Sequence, residues 1–362
     1  MKNFAGRIVM LGIAALAVAS ALTMSSCRDK FMTQVDTVLV HDTTVAPDLD
    51  DSSVWTPRLS GVTSGLTCCH FATTSVGYVG GDNGIVLKTT DSGTTWQRTP
   101  AAVPISGGVG GGTTVYGIWF FDANNGIVTG DGAYGSNTFL TNDGGASWSP
   151  VNVSTNFYLR SIYFIDRNIG FIGASDWFND GTGAGKTGNI FRTTDGGHNW
   201  APVDTTPAGI YDFQFTSPLN GVAMSRYGTC YWTTDGGLSW NNGAIDQNTI
   251  ISRMAFINSV TGFAASGSGF DTTVGMILRT DDGGHSWRTI KTTPYYLGAI
   301  TATASGDITV AGYTGKMQES TDGGLTWTES TVGNERWICS ALASQHRTVT
   351  IGVHGKIITR DR

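Results

Sequence analysis

The chain has 362 residues, a formal charge of −6 and only 14% charged residues. No basic run or basic segment stands out, which excludes a nucleic-acid surface, and the length suffices for a large buried core. The acidic residues are lopsided, 25 Asp against three Glu (Glu319, Glu329 and Glu335), and there are 50 Gly. Asp and Gly favour turns and Glu favours helix interiors, so the composition points to strands joined by tight turns.

At the N-terminus, Lys2 and Arg7 precede an apolar run from Ile8 to Leu22, and the small residues Ser25 and Ser26 precede Cys27. This is the layout of an export signal; the run is too short and too early for a spanning helix. It resembles the lipobox of bacterial lipoproteins, with Met24 where those usually carry Leu three residues before the Cys. The resemblance implies a signal peptide over 1–26, acylation of Cys27, and anchorage by lipid to the bacterial outer membrane or cell surface. Residues 27–49, with little aromatic content, read as a flexible tether.

The loudest signal follows. One octapeptide, Ser/Thr-x-Asp-x-Gly-x-x-Trp, occurs six times, with Asp91/Trp96, Asp143/Trp148, Asp195/Trp200, Asp235/Trp240, Asp282/Trp287 and Asp322/Trp327 as its fixed points. The aspartates lie 52, 52, 40, 47 and 40 residues apart, the length of a four-stranded propeller blade. The motif suits the turn between third and fourth strands, with the fourth strand starting at the Trp. The carboxylate accepts backbone N–H groups, Gly supplies positive φ, and Trp is buried between blades. Each Asp stands on its own blade, so the six cannot converge on one ion. His198 and His285 have no Cys or His partner at zinc spacing. No metal, cofactor or catalytic carboxylate is therefore expected in the repeat.

Between motifs, alternating strands such as Arg160-Ser-Ile-Tyr-Phe-Ile and Gly-rich strands such as Gly170-Phe-Ile-Gly-Ala follow one another with turns every 8–12 residues. The reading is all-β: a single seven-bladed propeller over 50–362, built of four-stranded antiparallel blades. The seventh blade comes in two pieces. Ile338-Cys-Ser-Ala-Leu, Val349-Thr-Ile-Gly-Val and Gly355-Lys-Ile-Ile-Thr-Arg-Asp supply three strands, and residues 54–59, with Trp55 five residues after Asp50, supply the fourth. Closure by this N-terminal strand removes the exposed edges of an open array. Cys68 and Cys69 fall on the inner strand of the first blade and Cys339 on that of the last; a Cys339 bridge to one of the pair and free buried thiols are both open readings in an exported chain.

The octapeptides are Asp-box repeats, shared by sialidases, xyloglucan-cleaving glycosidases, sortilin-type receptors and photosystem II assembly factors. Gly188-Asn-Ile-Phe-Arg-Thr-Thr-Asp-Gly-Gly-His-Asn-Trp200 and Gly275-Met-Ile-Leu-Arg-Thr-Asp-Asp-Gly-Gly-His-Ser-Trp287 look most like the photosystem II stability/assembly factor family. That resemblance implies a non-enzymatic propeller that holds a protein partner; many similar bacterial proteins come from lineages with no photosystem, so the implied role is the scaffold. The sialidase Arg-Ile-Pro stretch is absent, and xyloglucan-cleaving relatives pair two propellers around their acidic residues. A glycosidase needs two carboxylates across the scissile bond; Asp176, Asp180, Asp212 and Asp271 are the candidates, with no evident pairing, and leave glycoside hydrolase as the alternative. The expected function is that of a monomeric binding module for a protein, or a glycan, in the cell envelope. Its candidate contacts are loop aromatics (Tyr134, Trp177, Phe178 and Phe270) and residues at the inner-strand starts that would rim the central channel (Tyr116, Arg160, Tyr211, Arg253 and Trp337), where an Arg stacked on a Tyr would equally serve the scaffold.

Overall fold

The computed structural model describes residues 54–104, 114–132, 135–153, 157–175, 188–206, 209–225, 228–245, 249–268 and 273–362. Among them are seven four-stranded antiparallel sheets and no α-helix. The inner strands are Leu66–Phe71, Thr114–Phe120, Tyr158–Phe164, Ile210–Phe215, Thr249–Phe256, Leu297–Ala302 and Trp337–Ser344. Each lies beside the next, and the last beside the first, so the sheets close a ring around a central channel. The expected seven-bladed propeller is the observed fold. The expected signal peptide, Cys27, the expected tether, and the loop residues Tyr134, Trp177, Phe178, Phe270, Asp176, Asp180 and Asp271 lie outside the described residues.

The closing strand is Thr56–Arg58. It pairs antiparallel with Ile357–Asp361, Thr56 opposite Thr359 and Arg58 opposite Ile357, and Arg58 Nε donates to Thr359 Oγ1 at 2.9 Å. Trp55, 7% exposed, packs against Ala299, Ala311 and Met317 of blade 6 and Ile358 of its own blade 7. Box tryptophans do the same elsewhere: Trp240 of blade 4 packs on Phe171 of blade 3, and Trp287 of blade 5 joins Val222 and Met224 of blade 4. Trp96 of blade 1 joins Val349 and Ile351 of blade 7 across the seam of the ring. Trp55 therefore fills the seventh inter-blade gap in place of a box tryptophan.

The box geometry repeats with little variation. In the third copy Thr193 Oγ1 donates to Asp195 Oδ1 at 2.8 Å and accepts the Gly197 N–H at 3.0 Å. Asp195 also accepts the Asn199 N–H at 2.9 Å, and Trp200 Nε1 donates to the Gly197 carbonyl at 2.9 Å. Asp91 and Asp282 accept the equivalent Thr89 and Thr280 hydroxyls at 2.8 and 2.7 Å. The tip is then tied to the turn between the first two strands of the same blade, where Gly196 N–H donates to the Asn168 carbonyl. The second box glycine has two reasons to be glycine. At Gly237 φ is +75°, and a Cβ would sit 2.3 Å from the Phe171 ring of the preceding blade.

Two expectations for the box tryptophans need correction: Trp96 and Trp327 both show the first, and Trp327 shows the second. Neither begins its outer strand: pairing starts one residue later, at Gln97 opposite Lys88 and at Thr328 opposite Glu319. The reason is that the tryptophan still belongs to the hairpin. Trp96 Nε1 donates to the Gly93 carbonyl at 3.0 Å and Trp327 Nε1 to that of Gly324 at 3.2 Å. Burial also differs. Trp96 is 7% exposed, whereas Trp327 is only partly buried, set edge-on to Phe263 of blade 5 with 6.4 Å between centroids. The outer strand that follows Trp327, Thr328–Thr331, is exposed throughout, so this indole is covered from the blade 5 side and meets solvent at the outer edge. Neither tryptophan lines the central channel; both serve the scaffold.

The box also sets a charge response. Ser147's hydroxyl and N–H, with the Thr141 hydroxyl, hold the Asp143 carboxyl down at about 2; Ser239 does this for Asp235 and Thr326 for Asp322. A carboxylate held below its unfolded pKa stabilises the fold above about pH 4, and that contribution disappears as pH falls towards 2. Acid titration should therefore lower the melting temperature steeply between pH 4 and 2, and Asp→Asn in several boxes should flatten that limb; a melting temperature constant over this interval would contradict the box account.

Closure makes its own prediction. Trp55→Ala removes a buried indole from an inter-blade gap and should cost about 3 kcal/mol in denaturant unfolding. Deleting residues 50–60 should leave a chain that aggregates or melts far below wild type. Wild-type thermal stability in the truncated chain would mean that the N-terminal strand does not close the ring.

Candidate functional site

Every inner strand carries a β-bulge near its start. Against the second strand of its blade, one residue is extra in each: Thr67, Tyr116, Arg160, Tyr211, Ser252, Gly298 and Ile338. The residue before each extra one is apolar and buried: Leu66, Val115, Leu159, Ile210, Ile251, Leu297 and Trp337. Bulges bend a strand and redirect its side chains. Here they release one residue per blade from the ladder at the end of the channel opposite the box hairpins.

Tyr116, Arg160, Tyr211 and Arg253 all line the channel, as the sequence suggested. Trp337 does not. It stands at the position before the bulge, equivalent to Leu66 and Val115, and is 1% exposed in the core between blades 6 and 7. Period-two counting places it one residue away from its true register because the bulge consumes a residue. Arg160 lies with its guanidinium 4.4 Å from the centre of the Tyr116 ring and 5.4 Å from that of Tyr158. The stacking anticipated as a scaffold contact is thus present, and it presents a cation at the channel wall.

Directly below the bulges lies a layer that sequence reasoning missed as a layer: Cys68, Gly117, Ser161, Asp212, Arg253 and Cys339 all line the channel there. The sequence singles out Asp212 as a possible catalytic acid, Arg253 as a rim contact and Cys68 and Cys339 as thiols at the seam, without placing them at one level. Asp212 Oδ2 accepts the Met254 N–H at 2.7 Å. Burial dominates its ionisation and pushes the carboxyl up to about 7, against the opposing pull of Arg253 and of that N–H.

The next layer is partly aromatic. His70, Trp119 and Tyr163 form a chain of rings on the lining with centroids 4.2 and 5.0 Å apart, running from blade 1 to blade 3, and Gln214 takes the same level on blade 4. Burial pulls His70 down to about 4, and its Nδ1 accepts the Phe120 N–H at 3.2 Å, so it is neutral and engaged. On the opposite side Ala255, Thr301 and Ala341 leave room, and the channel encloses about 330 Å³. Among the described residues Asp212 is the one carboxylate of the lining, and Arg253 acts on it from the next blade. Among the described residues no group of three His, Cys, Asp or Glu side chains converges as metal ligands. Hydrolysis of a glycoside by an acid and a nucleophile or base needs two carboxylates; Asp212 is the one in the described lining, and the other candidates, Asp176, Asp180 and Asp271, lie outside the described residues.

Known proteins divide along the same line. Residues 202–354 match a family model described as photosynthesis system II assembly factor YCF48. The photosystem II assembly lipoprotein Ycf48 of Synechococcus sp. (strain CC9902) is 30% identical over 138 residues, which are 36% of this chain and 36% of that one. The xyloglucanase Xgh74A of Acetivibrio thermocellus is 24% identical over 241 residues, 57% of this chain and 29% of the enzyme. The chain thus spans about a third of the length of these curated relatives. The solved structure of YCF48 bound to D1 peptide superposes with a TM-score of 0.65 at 16% identity, over 85% of this chain and 95% of that one.

Asp212 offers a test of the channel's interior. A carboxyl raised from about 4 to about 7 binds its proton more tightly folded than unfolded, so it lowers stability progressively between pH 4 and 7 and fully above 7. Asp212→Asn should therefore match wild type near pH 4 and exceed it at pH 8 in denaturant unfolding by a margin on the order of 4 kcal/mol, roughly three pH units at about 1.4 kcal/mol each. A variant less stable than wild type at pH 8 would refute the placement of an enclosed carboxyl.

Six boxes, seven closed blades and the sequence matches agree: the chain is a BNR-type Asp-box β-propeller similar to the photosystem II assembly factors.

Proposed function

We propose that this protein is a non-enzymatic binding scaffold that holds a protein partner at the bulged end of its channel, anchored in the bacterial cell envelope through lipid on Cys27. The observation that carries the reading is the rim itself. Bulges lift Tyr116, Arg160 and Tyr211 out of the ladder at neighbouring blades, giving two flat aromatic surfaces and a stacked guanidinium. Tyr and Arg are the residues that anchor protein interfaces, because they combine area with directed polar contacts at low entropic cost. The cationic lining favours a partner segment bearing acidic groups or a free carboxylate. The similar structure solved with a D1 peptide supports a peptide as the kind of ligand this rim takes.

The partner would be found by placing a photocrosslinking residue at Tyr211 in the native envelope and identifying the trapped protein. Arg160→Ala combined with Tyr116→Ala should then lower capture at least tenfold, about 1.4 kcal/mol, while the melting temperature stays within a few degrees of wild type. Capture unchanged by the double variant, or hydrolysis of xyloglucan by the purified protein, would overturn this reading.

A further inference from the structure

Cys68 and Cys69 are neighbours on one strand, and alternation sends their side chains to different blades. Cys68 is buried against blade 2, where its thiol donates to the Val115 carbonyl at 3.6 Å. Cys69 turns towards blade 7, and its Sγ lies 3.3 Å from Sγ of Cys339. Those two share an apolar cluster with Val349 and Ile351, and both line the channel. In the structure all are separate thiols.

The surroundings make the pair unequal. The thiol donated by Cys69 draws the Cys339 sulfur towards its thiolate form, and Arg253, reaching in from blade 5, reinforces this against burial. The same hydrogen bond pushes the Cys69 thiol up. Burial pushes Cys68 up to about 12 and leaves it a poor nucleophile. The charged and titratable groups facing this cluster are Cys68 and Cys69 from blade 1, Asp212 from blade 4 and Arg253 from blade 5.

We propose that Cys69 and Cys339 are a disulfide site that seals the ring from inside, formed by thiol–disulfide exchange with a small or protein disulfide. The Cys339 thiolate attacks one sulfur of the incoming disulfide, forms a mixed disulfide and expels one thiolate. Cys69, losing its proton to that thiolate, then attacks Sγ of Cys339 and expels the second. Two protein thiols are oxidised and one external disulfide is reduced to two thiols, so electrons and protons balance. The sulfurs need to approach by roughly one ångström.

The bond would enclose 270 residues and join the inner strand of blade 1 to that of blade 7. Thr56–Arg58 lies outside this loop, so the ring would stay closed even when the N-terminal strand peels away. Closing so long a loop restricts the unfolded chain strongly.

The test uses the full chain, treated with hydroxyethyl disulfide or with excess reductant, alkylated under denaturing conditions and mapped by peptide mass. After oxidation the peptide Trp337–Arg347 should be linked to the peptide holding Cys69. The link should persist in Cys68→Ser and vanish in Cys69→Ser. The oxidised wild type should melt roughly 5 °C or more above the reduced protein, and Cys339→Ser should show no such redox shift. Wild type alone decides the matter where a variant fails to fold. Full alkylation of Cys69 and Cys339 after treatment, or a link through Cys68 instead, would overturn the proposal.

Discussion

Everything in this molecule depends on a sheet having two faces to cover. A four-stranded blade cannot bury both faces alone, so each leans on its neighbours, and the requirement ends only when the last blade meets the first. The recurring unit of that contact is a tryptophan just before the outer strand, lying in the gap towards the preceding blade. Six come from Asp boxes, and Trp55 supplies the seventh from the other end of the chain. Hydrogen bonding in the box serves this placement: the Thr–Asp–Gly network fixes the hairpin, and the indole is then aimed by its bond to the glycine carbonyl, as at Trp96, Trp200 and Trp327. The second box glycine lets the hairpin approach the neighbouring blade closely enough for the ring to seat.

This explains which parts of the structure were legible in the sequence. The box is local: its eight residues hydrogen-bond to one another, so its geometry depends on their order alone. Counting boxes counts blades, and the Asp50-to-Trp55 spacing identified the displaced strand. How deeply each indole is buried is not local, and the identical spacing in the first and sixth boxes gives a buried Trp96 and a partly buried Trp327. The turn that joins the first two strands of a blade, Phe120-Phe-Asp-Ala-Asn-Asn-Gly126 in blade 2, is as local as the box. Gly126 pairs across the hairpin with Phe120, and a Cβ there would meet the Phe120 ring at 2.4 Å. Phe120 in turn stands edge-on to Trp148 of the same blade, 6.3 Å between centroids.

The site was less legible because it depends on register between strands. Tyr116, Arg160 and Tyr211 read as channel residues from their place in the repeat, and they are. Trp337 read the same way and is core, because an extra residue in each inner strand shifts the face that follows by one. No single residue announces these bulges: the extra position is Thr, Tyr, Arg, Ser, Gly or Ile in different blades. What recurs is the large apolar residue just before it, and that signal emerges only when all seven strands are aligned on it. The same alignment brings Asp212, Arg253, Cys68 and Cys339 into one layer.

A ring of similar blades carries near-sevenfold symmetry, and a symmetric surface offers a partner seven equivalent poses. Specific recognition therefore has to arise where the blades differ. The box face keeps the repeat. The channel departs from it: rings on blades 1 to 3 face Ala255, Thr301 and Ala341 on blades 5 to 7, Arg160 stacks on one rim tyrosine, and a carboxylate stands beside Arg253. The bulge is what permits the separation. It ends strict alternation at the point where the core is complete, so that residues above it answer to a ligand and residues below it answer to packing.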